Sequence, residues 1–441
     1  MTIRKILQKS DGSKTMTAEQ NHIMIIAGEP SGDLHGANLI KALRYKNPDL
    51  IITGIGGDLM LKEGMKPFFH IKDLSVMGIT EVIMQLRKIK QAFDLFSHKI
   101  ASGRPDLLIL IDYPGFNLKA AARAKQISVP VLYYITPKVW AWKKSRLKKI
   151  KYYVDHAALI FPFEEAIFRK EKIPATFVGH PLVDHYHQGF NYFHEKSEVL
   201  CEKSESQRGV STVIGMLPGS RESEISNLLP VMLESGRLIN QRLNDNKQSC
   251  PDGNPVVSDH EQQICFHDNE KQTCSHGKHK NSSVRFVVSA ASTINLQKFN
   301  NILKQYNHDD IFEVIHGEPT DIFRRCDLLI AASGTVTLEA AIFGVPMVII
   351  YKTSALTYFL AKMFVKIPYV GLPNIIAGYS IVPELLQNDA VPEKIANKVL
   401  SIISPETLAH IRKQLLMIPR YLGGTGAAKR TAQIAMQMIE R

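Results

Sequence analysis

One acidic residue stands where a parallel α/β sheet would place a general base. Asp112 ends the apolar run Leu107–Ile111 and leads into the segment Tyr113-Pro-Gly-Phe-Asn117. A carboxylate at the carboxyl end of a central strand lies at the edge of the sheet where ligands bind, and there it can accept a proton from a hydroxyl. Aspartate also begins Asx turns before proline, so the spacing alone supports both roles equally.

Two other turns have the composition of anion-binding sites. The first is Leu217-Pro-Gly-Ser-Arg221, between an apolar strand and a helical pattern; the second is Ser333, Gly334 and Thr335, in the same setting. Backbone amides at a helix N-terminus bind phosphate, and the Arg221 guanidinium adds a fork of donors. Glu339 lies one turn into the second helix, where a carboxylate suits a ribose diol. An ordinary helix cap is the alternative for the Ser-Gly-Thr turn.

The remaining glycine-rich turns are weak signals. Neither Gly28–Asp33 nor Gly54–Gly57 has the GxGxxG spacing of a dinucleotide site, so a tight βα turn explains each of them better. The chain has no Asp-x-Asp motif, which many metal-dependent nucleotide-sugar transferases use to hold a divalent ion. Helix dipoles and basic side chains would then stabilise a leaving diphosphate, and we expect neither a metal nor a cofactor.

The net charge requires an anionic partner. Lys and Arg number 54 against 42 Asp and Glu, an excess of +12. Nucleic acid, a phosphate-bearing substrate or an anionic membrane would each satisfy this excess. The five cysteines form no disulfide framework, and neither a secretory signal nor an apolar run of spanning length is present. These features predict a reducing, cytoplasmic setting, with the protein soluble or bound to a membrane surface.

Two stretches have the composition of lipid- or phosphate-contacting surfaces. The stretch Lys138–Lys151 is basic without acidic residues and contains both tryptophans, with Trp140, Lys143 and Lys144 at its centre. A solvated basic helix face and a nucleic-acid site are its alternatives. The second stretch is a helical apolar stripe flanked by basic residues, formed by Ile79, Val82, Ile83, Leu86, Ile89, Phe93 and Phe96. Such a stripe is more often core than a lipid contact.

Apolar strands alternate with helical patterns along most of the chain, which predicts an α/β fold with parallel sheets. The rhythm fades around residues 186–208 and then restarts, which predicts two Rossmann-like domains facing a central cleft. We expect an N-terminal extension at 1–21, one domain at 22–185, a linker at 186–208, a second domain at 209–400 and C-terminal helices at 401–441. Residues 244–283 are polar, with scattered Cys and His, and read as a disordered insertion rather than a zinc site.

Taken together, these segments resemble the lipid-A-disaccharide synthases, inverting glycosyltransferases of GT-B fold. The resemblance covers roughly residues 22–441 and follows the family order. Its pieces are AGEPSGDLHGANL (27–39), GIGG (54–57), IDYPGFN (111–117), TPKVWAW (136–142), FPFE (161–164), FVGHPLVD (177–184), LPGSR (217–221), ASGTVTLE (332–339) and GLPNIIAG (371–378).

The resemblance implies a reaction. UDP-2,3-diacylglucosamine donates its sugar to the 6-hydroxyl of 2,3-diacylglucosamine 1-phosphate, giving a β(1→6) disaccharide 1-phosphate and UDP at the inner face of the inner membrane. It also implies a C-terminal helix that crosses back to the first domain.

The resemblance implies roles for residues as well. Asp112 is the expected catalytic carboxylate. Apart from the resemblance, His180 of the VGHP motif is a second, lower-ranked proton-transfer candidate, because a histidine before proline at a domain edge is as often structural. The donor is expected to contact Arg221, Ser333, Gly334, Thr335, Glu339 and Asn374. The apolar stripe and the basic stretch, rather than the resemblance, predict acceptor or lipid contacts at Val82, Ile83, Leu86, Trp140, Lys143 and Lys144.

Three alternatives remain. Another GT-B transferase of UDP-N-acetylglucosamine and a UDP-sugar epimerase share the expected fold. A basic nucleic-acid-binding protein rests on charge alone, so we expect no nucleic-acid partner. Oligomeric state and acyl-chain length do not follow from the sequence.

Overall fold

The computed structural model describes residues 20–74, 81–137, 144–186, 212–248, 284–291, 294–306, 311–352 and 368–440, without the side chains of 81–85, 144 and 246–248. Several sequence predictions therefore lie outside the described residues. They are the N-terminal extension up to residue 19, nearly all of the 186–208 linker, the insertion from residue 249 onward, Trp140 and Lys143.

The strands form two parallel sheets. The first has seven strands in the order β3-β2-β1-β4-β5-β6-β7, and the second has six in the order β10-β9-β8-β11-β12-β13. In chain order the strands are His22–Ala27 (β1), Ile51–Gly56 (β2), Lys66–His70 (β3), Leu107–Ile111 (β4), Val131–Tyr134 (β5), His156–Leu159 (β6), Ala175–Phe177 (β7), Val213–Leu217 (β8), Arg285–Ala290 (β9), Phe312–His316 (β10), Leu328–Ala332 (β11), Met347–Tyr351 (β12) and Glu384–Leu386 (β13). Both orders reverse beside the first strand, as in Rossmann folds, and this confirms the predicted fold class.

The central strands are apolar because helices cover both faces of each sheet. Every residue of β4, β8 and β11 is buried. In register, Ala27 at the end of β1 pairs with Ile111 at the end of β4. The two strand ends therefore lie at the same edge of the first sheet, and the residues that follow them are neighbours.

Fifteen α-helices connect or follow the strands within the described part of the chain. They are Pro30–Lys46 (α1), Asp58–Lys62 (α2), Glu81–Gly103 (α3), Pro114–Gln126 (α4), Lys144–Tyr153 (α5), Glu164–Lys170 (α6), Glu222–Gln248 (α7), Leu296–Tyr306 (α8), Pro319–Arg325 (α9), Thr335–Ile342 (α10), Leu372–Ala377 (α11), Pro392–Ile402 (α12), Pro405–Leu415 (α13), Ile418–Tyr421 (α14) and Ala427–Ile439 (α15). Among these described helices, none combines the length and apolar character needed to cross a bilayer.

The structure corrects the start of the polar insertion. Helix α7 continues to Gln248, so 244–248 belong to a helix that the sequence placed in disordered chain. Exposed polar side chains such as Asn244 and Asp245 do not prevent a helix from continuing, because the preceding turns already supply the nucleus.

The C-terminal segment joins the two domains. Helix α14 packs against α10 and α11 of the second domain, whereas α15 packs against α1 and β4 of the first. The Asp184 carboxylate accepts hydrogen bonds from the backbone amides of Gly426 and Ala428 at the start of α15. The Arg430 guanidinium donates to the carbonyl of Val178 at 2.6 Å. The crossing helix predicted from the resemblance is therefore present, and the motif at 177–184 anchors it.

Candidate active site

The backbone at Asp112 is held in an uncommon conformation. Asp112 and Tyr113, directly after β4, have φ angles of 44° and 45°, in the left-handed region. The Asp112 amide donates to the carbonyl of Tyr134 at 3.2 Å. The Asp112 carbonyl accepts from Asn117 Nδ2 at 2.7 Å and from the Tyr133 hydroxyl at 2.9 Å. Non-glycine residues in this region carry about 1–3 kcal/mol of strain, and the surrounding hydrogen bonds hold the turn in place.

Asn117 and Tyr133 position the turn from beneath. Asn117 is fully buried and donates a second hydrogen bond to the carbonyl of Ile111 at 3.0 Å. Burial raises the pKa of the Tyr133 phenol well above its usual range; Asp112 adds to this and Arg146 opposes it. Tyr133 is therefore a neutral donor at any working pH. The sequence alone assigned no role to either residue, although Asn117 lies in the motif at 111–117 and Tyr133 lies shortly before the motif at 136–142.

The Gly28–Asp33 turn follows β1 at the same edge of the sheet. A Cβ added at Gly28 would lie 2.2 Å from the Tyr113 ring, so only glycine leaves room for that ring. The buried Asp33 carboxylate accepts from the amides of Gly57, Leu59 and Met60 at 2.7, 3.1 and 3.1 Å. Asp33 thus caps helix α2. Contacts within the protein therefore hold the Gly28–Asp33 segment in place, as expected for a tight βα turn.

His180 is buried beside the C-terminal segment. Its Nδ1 accepts from the amide of Leu182 at 3.2 Å, and its own amide donates to the carbonyl of Leu422 at 3.0 Å. The ring packs on Phe161 with centroids 5.2 Å apart. These contacts give His180 a place in the connection to the C-terminal segment; its predicted part in proton transfer stays a prediction.

The Ser-Gly-Thr turn lies at the carboxyl end of β11. The Ser333 amide donates to the carbonyl of Ile350 at 3.0 Å, and the Thr337 hydroxyl donates to the carbonyl of Gly334 at 2.8 Å. Gly334 has an extended backbone, and no described atom lies within 4 Å of a Cβ built there. Neither backbone strain nor packing requires this glycine. The open space beside it fits the close approach of a ligand to the N-terminus of α10.

Glu339 faces a second carboxylate and a tyrosine. Burial raises the pKa of Glu339 to about 7, and Glu318 contributes to the rise. Both carboxylates also contribute to a raised pKa at Tyr186, below the effect of burial. Tyr186 packs its ring on Phe343 with centroids 5.1 Å apart. Because Tyr186 follows the last strand of the first sheet, its contact with Phe343 places the end of helix α10 next to the first domain.

Arg221 lies in an exposed turn. Its side chain is 81% exposed and lies 3.5 Å from Glu224, whose other carboxylate oxygen accepts from the amides of Ser220 and Arg221. Glu224 therefore caps the turn while most of the guanidinium remains in solvent. An exposed arginine whose partner among the described side chains is an i,i+3 carboxylate can turn toward an incoming phosphate at small cost.

Asn374 is buried and fully engaged with the protein. Its Oδ1 accepts from the amides of Ile381 and Val382, and its Nδ2 donates to the carbonyl of Val382 and to Glu384, all between 2.7 and 3.1 Å. Glu384 also accepts from the amides of Val370 and Gly371. The geometry thus gives Asn374 the task of folding the 370–384 segment, and its predicted donor contact remains a prediction. Glu384 was not singled out from the sequence.

The structure describes only some of the side chains that were predicted to contact lipid. Val82, Ile83 and Lys144 lie in helices α3 and α5, and their side chains are outside the described set. Leu86 is 62% exposed, whereas Phe96 further along α3 is fully buried. The apolar stripe therefore divides: its C-terminal part belongs to the core, and Leu86 faces solvent.

The family comparison was made with the whole sequence. A family model described as lipid-A-disaccharide synthetase matches residues 23–276 and 257–438. The chain belongs to this family. A lipid-A-disaccharide synthase of Trichlorobacter lovleyi is 36% identical over 95% of this chain and 98% of its own length. The enzyme of the same name from Geobacter sulfurreducens is 36% identical over 96% and 99%. The resemblance drawn from the motifs is confirmed, and the chain is a glycosyltransferase of lipid A biosynthesis.

Solved structures share the fold at low sequence identity. A Staphylococcus aureus MnaA structure with UDP has a TM-score of 0.59 at 13% identity, covering 96% of this chain and 98% of that one. MurG of Acinetobacter baumannii has a TM-score of 0.53 at 11% identity, covering 95% and 99%. These similarities extend over both domains and support the GT-B architecture alone.

Proposed function

We propose that this protein transfers the sugar of UDP-2,3-diacylglucosamine to the 6-hydroxyl of 2,3-diacylglucosamine 1-phosphate, with inversion and without a metal ion. The proposal rests on family membership for the substrates. The observation that carries the chemistry is the Asp112 turn, which is strained and held by hydrogen bonds at the carboxyl edge of the first sheet.

The first domain supplies the base. An inverting displacement needs one group that accepts the proton of the attacking hydroxyl. Asp112 fits this role because hydrogen bonds fix its main chain on both sides, so that the position of its Cα at the carboxyl edge of the sheet is set before the substrate arrives. As the 6-oxygen bonds to the anomeric carbon on one face, the bond to UDP breaks on the opposite face, which inverts that carbon.

The second domain holds the leaving group. The diphosphate accepts hydrogen bonds from the amides of Gly334 and Thr335 in the Ser333–Thr335 turn, and the positive end of α10 stabilises the charge that develops as UDP departs. Arg221 turns from Glu224 to the diphosphate. Glu339 accepts from the ribose hydroxyls. This assignment leaves no step that requires a divalent ion.

The first domain also meets the membrane. Leu86 is exposed on α3, and Arg87 and Lys90 beside it are exposed as well. On α5, Leu147 and Ile150 are buried while Lys148, Lys149 and Lys151 face solvent. An apolar residue with basic neighbours suits an anionic headgroup layer. We place the protein at the cytoplasmic face of the inner membrane, where both acylated substrates reside.

The membrane assignment predicts that replacing Val82, Ile83 and Leu86 with Ser reduces binding to anionic vesicles about tenfold, because less apolar area enters the bilayer. Vesicle flotation measures this. Replacing Asp49 with Asn, in an exposed loop of the same domain, serves as a control that should bind normally. A triple variant that floats like wild type while keeping its melting temperature would exclude α3 from the contact.

The decisive test is an assay with both acylated substrates, with and without chelator. We expect a β-linked disaccharide by NMR and an unchanged rate when the chelator is present. Unacylated UDP-N-acetylglucosamine serves as the comparison substrate: turnover of that sugar, or its epimerisation, in place of the acylated donor would support one of the alternative activities.

A further inference from the structure

The proposed reaction leaves one prominent motif without a chemical role. In the segment Gly28–Asp33, Gly28 makes room for the Tyr113 ring and Asp33 caps helix α2. Pro30 begins helix α1, where its missing amide hydrogen costs nothing. Glu29 remains. Its backbone carbonyl accepts from the amide of Asp33 at 3.0 Å, but its side chain does not cap the helix.

Strand register brings Glu29 next to Asp112. Ala27 pairs with Ile111, so Asp112 follows its strand end by one residue and Glu29 follows the neighbouring strand end by two. Adjacent strands lie about 4.8 Å apart, and both residues therefore occupy the same short stretch of the sheet edge. Gly28 in contact with the Tyr113 ring closes the two turns against each other.

The electrostatics agree with this placement. The pKa of Glu29 is raised by partial burial and then by the charge of Asp112. The pKa of Tyr113 is raised by burial and then by Glu29. Among the residues that the structure describes, Tyr133 on β5 and Arg146 on α5 also face this corner. Glu29 is also exposed to solvent, so a substrate in the cleft can reach it.

We propose that Glu29 and Asp112 form a carboxylate pair at the carboxyl edge of the first sheet, in which Glu29 is the positioning residue that sets the basicity of Asp112. This rests on the proposed function, because it presumes that Asp112 takes the proton. The acceptor O–H bond breaks, its proton passes to an Asp112 oxygen, its electron pair forms the new bond to the anomeric carbon, and UDP leaves with the electrons of the broken bond. A negative charge beside Asp112 makes it a stronger base.

Replacing Glu29 with Gln tests the pair, because the amide keeps the size of the side chain and removes its charge. We expect kcat to fall about 10- to 100-fold. The acid limb of the kcat profile should move to lower pH, since a neighbouring negative charge would no longer oppose the ionisation of the base. UDP affinity by calorimetry and the melting temperature should match wild type. Glu29→Asp, which keeps the charge, should recover much of the rate and the wild-type acid limb.

Two controls separate the outcomes. Asp49→Asn removes one negative charge from a loop at the opposite edge of the same sheet and should leave the pH profile unchanged. A Glu29→Gln variant with a wild-type acid limb, whether its rate falls or not, would overturn the pair and leave the proposed function intact. An Asp112→Asn variant with near-normal turnover would instead overturn the proposed function itself.

Discussion

Two turns of this molecule lie at the same kind of place, and they are built differently. The Asp112 turn of the first domain has a strained backbone, with Asn117 and Tyr133 bonded to its carbonyl. The Ser333–Thr335 turn of the second domain has relaxed backbone and open space at Gly334. The hydrogen bonds of the first turn fix its backbone. The second is organised to leave room for a ligand.

The largest effect should come from Asp112. Asp112→Asn removes the group that takes the proton, and loss of a general base lowers kcat by about 10²- to 10⁴-fold. UDP affinity should remain at the wild-type value, because the donor contacts lie in the other domain. Steady-state kinetics and calorimetry on the same preparation measure both. Near-normal turnover in this variant would mean that the first turn does not carry the base, which is the main difference proposed between the two turns.

The two glycines should respond in opposite ways. Gly334→Ala should weaken UDP binding about 10- to 30-fold while the melting temperature is unchanged, because the methyl group enters the space meant for the diphosphate and touches no described atom. Gly28→Ala should lower the melting temperature by several degrees and leave UDP binding unchanged, because its methyl group collides with Tyr113. If Gly334→Ala binds UDP normally, the open space has another purpose.

Arg221→Ala and Glu339→Ala should each weaken UDP binding about tenfold, which is typical for one charge-assisted hydrogen bond. Neither variant should change the melting temperature much. Arg221 is exposed, and burial disfavours the ionised form of Glu339, so removing that carboxylate costs little stability. Arg237→Ala, in an exposed ion pair of the same domain, is the matched control. Unchanged UDP affinity in both variants would move the donor site away from this turn.

The smallest effect concerns pH. The pKa of Glu339 is near 7 because of burial and Glu318, so a donor contact through its carboxylate should strengthen as the pH rises through 7. Glu318→Gln lowers that pKa and should shift the midpoint to lower pH, with a change of a few fold in UDP affinity. The ionisation of UDP itself affects every variant equally. Comparing the pH profile of wild-type affinity with that of Glu339→Gln therefore removes the contribution of UDP. Superimposable profiles in all three proteins would exclude Glu339 from the ribose contact.

The sequence predicted the fold well where strands are buried on both faces. The apolar run Leu107–Ile111 was correctly bounded, because five consecutive apolar residues between polar neighbours mark a strand that is buried on both faces. Edge strands such as Lys66–His70 are half exposed and polar, and their sequences give no comparable signal. Helix α7 ran past its predicted end because exposed terminal turns tolerate polar residues.

The sequence predicted where the main site residues lie relative to the strands, but it did not predict all of their hydrogen-bond partners. The sequence placed Asp112 and the Ser-Gly-Thr turn at strand ends, because that follows from apolar runs ending in polar residues. It could not show that the Asn374 amide is taken up by backbone partners, since those partners lie in a later loop. Glu29 emerged only when the register of β1 against β4 was known, because residues distant in sequence become neighbours through strand pairing.

A crystal structure of the full chain with UDP and a short-chain acceptor tests the division between the two turns most directly. We expect the diphosphate on the amides of Gly334 and Thr335, with Arg221 turned toward it, and the acceptor 6-hydroxyl within hydrogen-bonding distance of Asp112. A diphosphate bound instead at the Gly28–Asp33 turn of the first domain would contradict it.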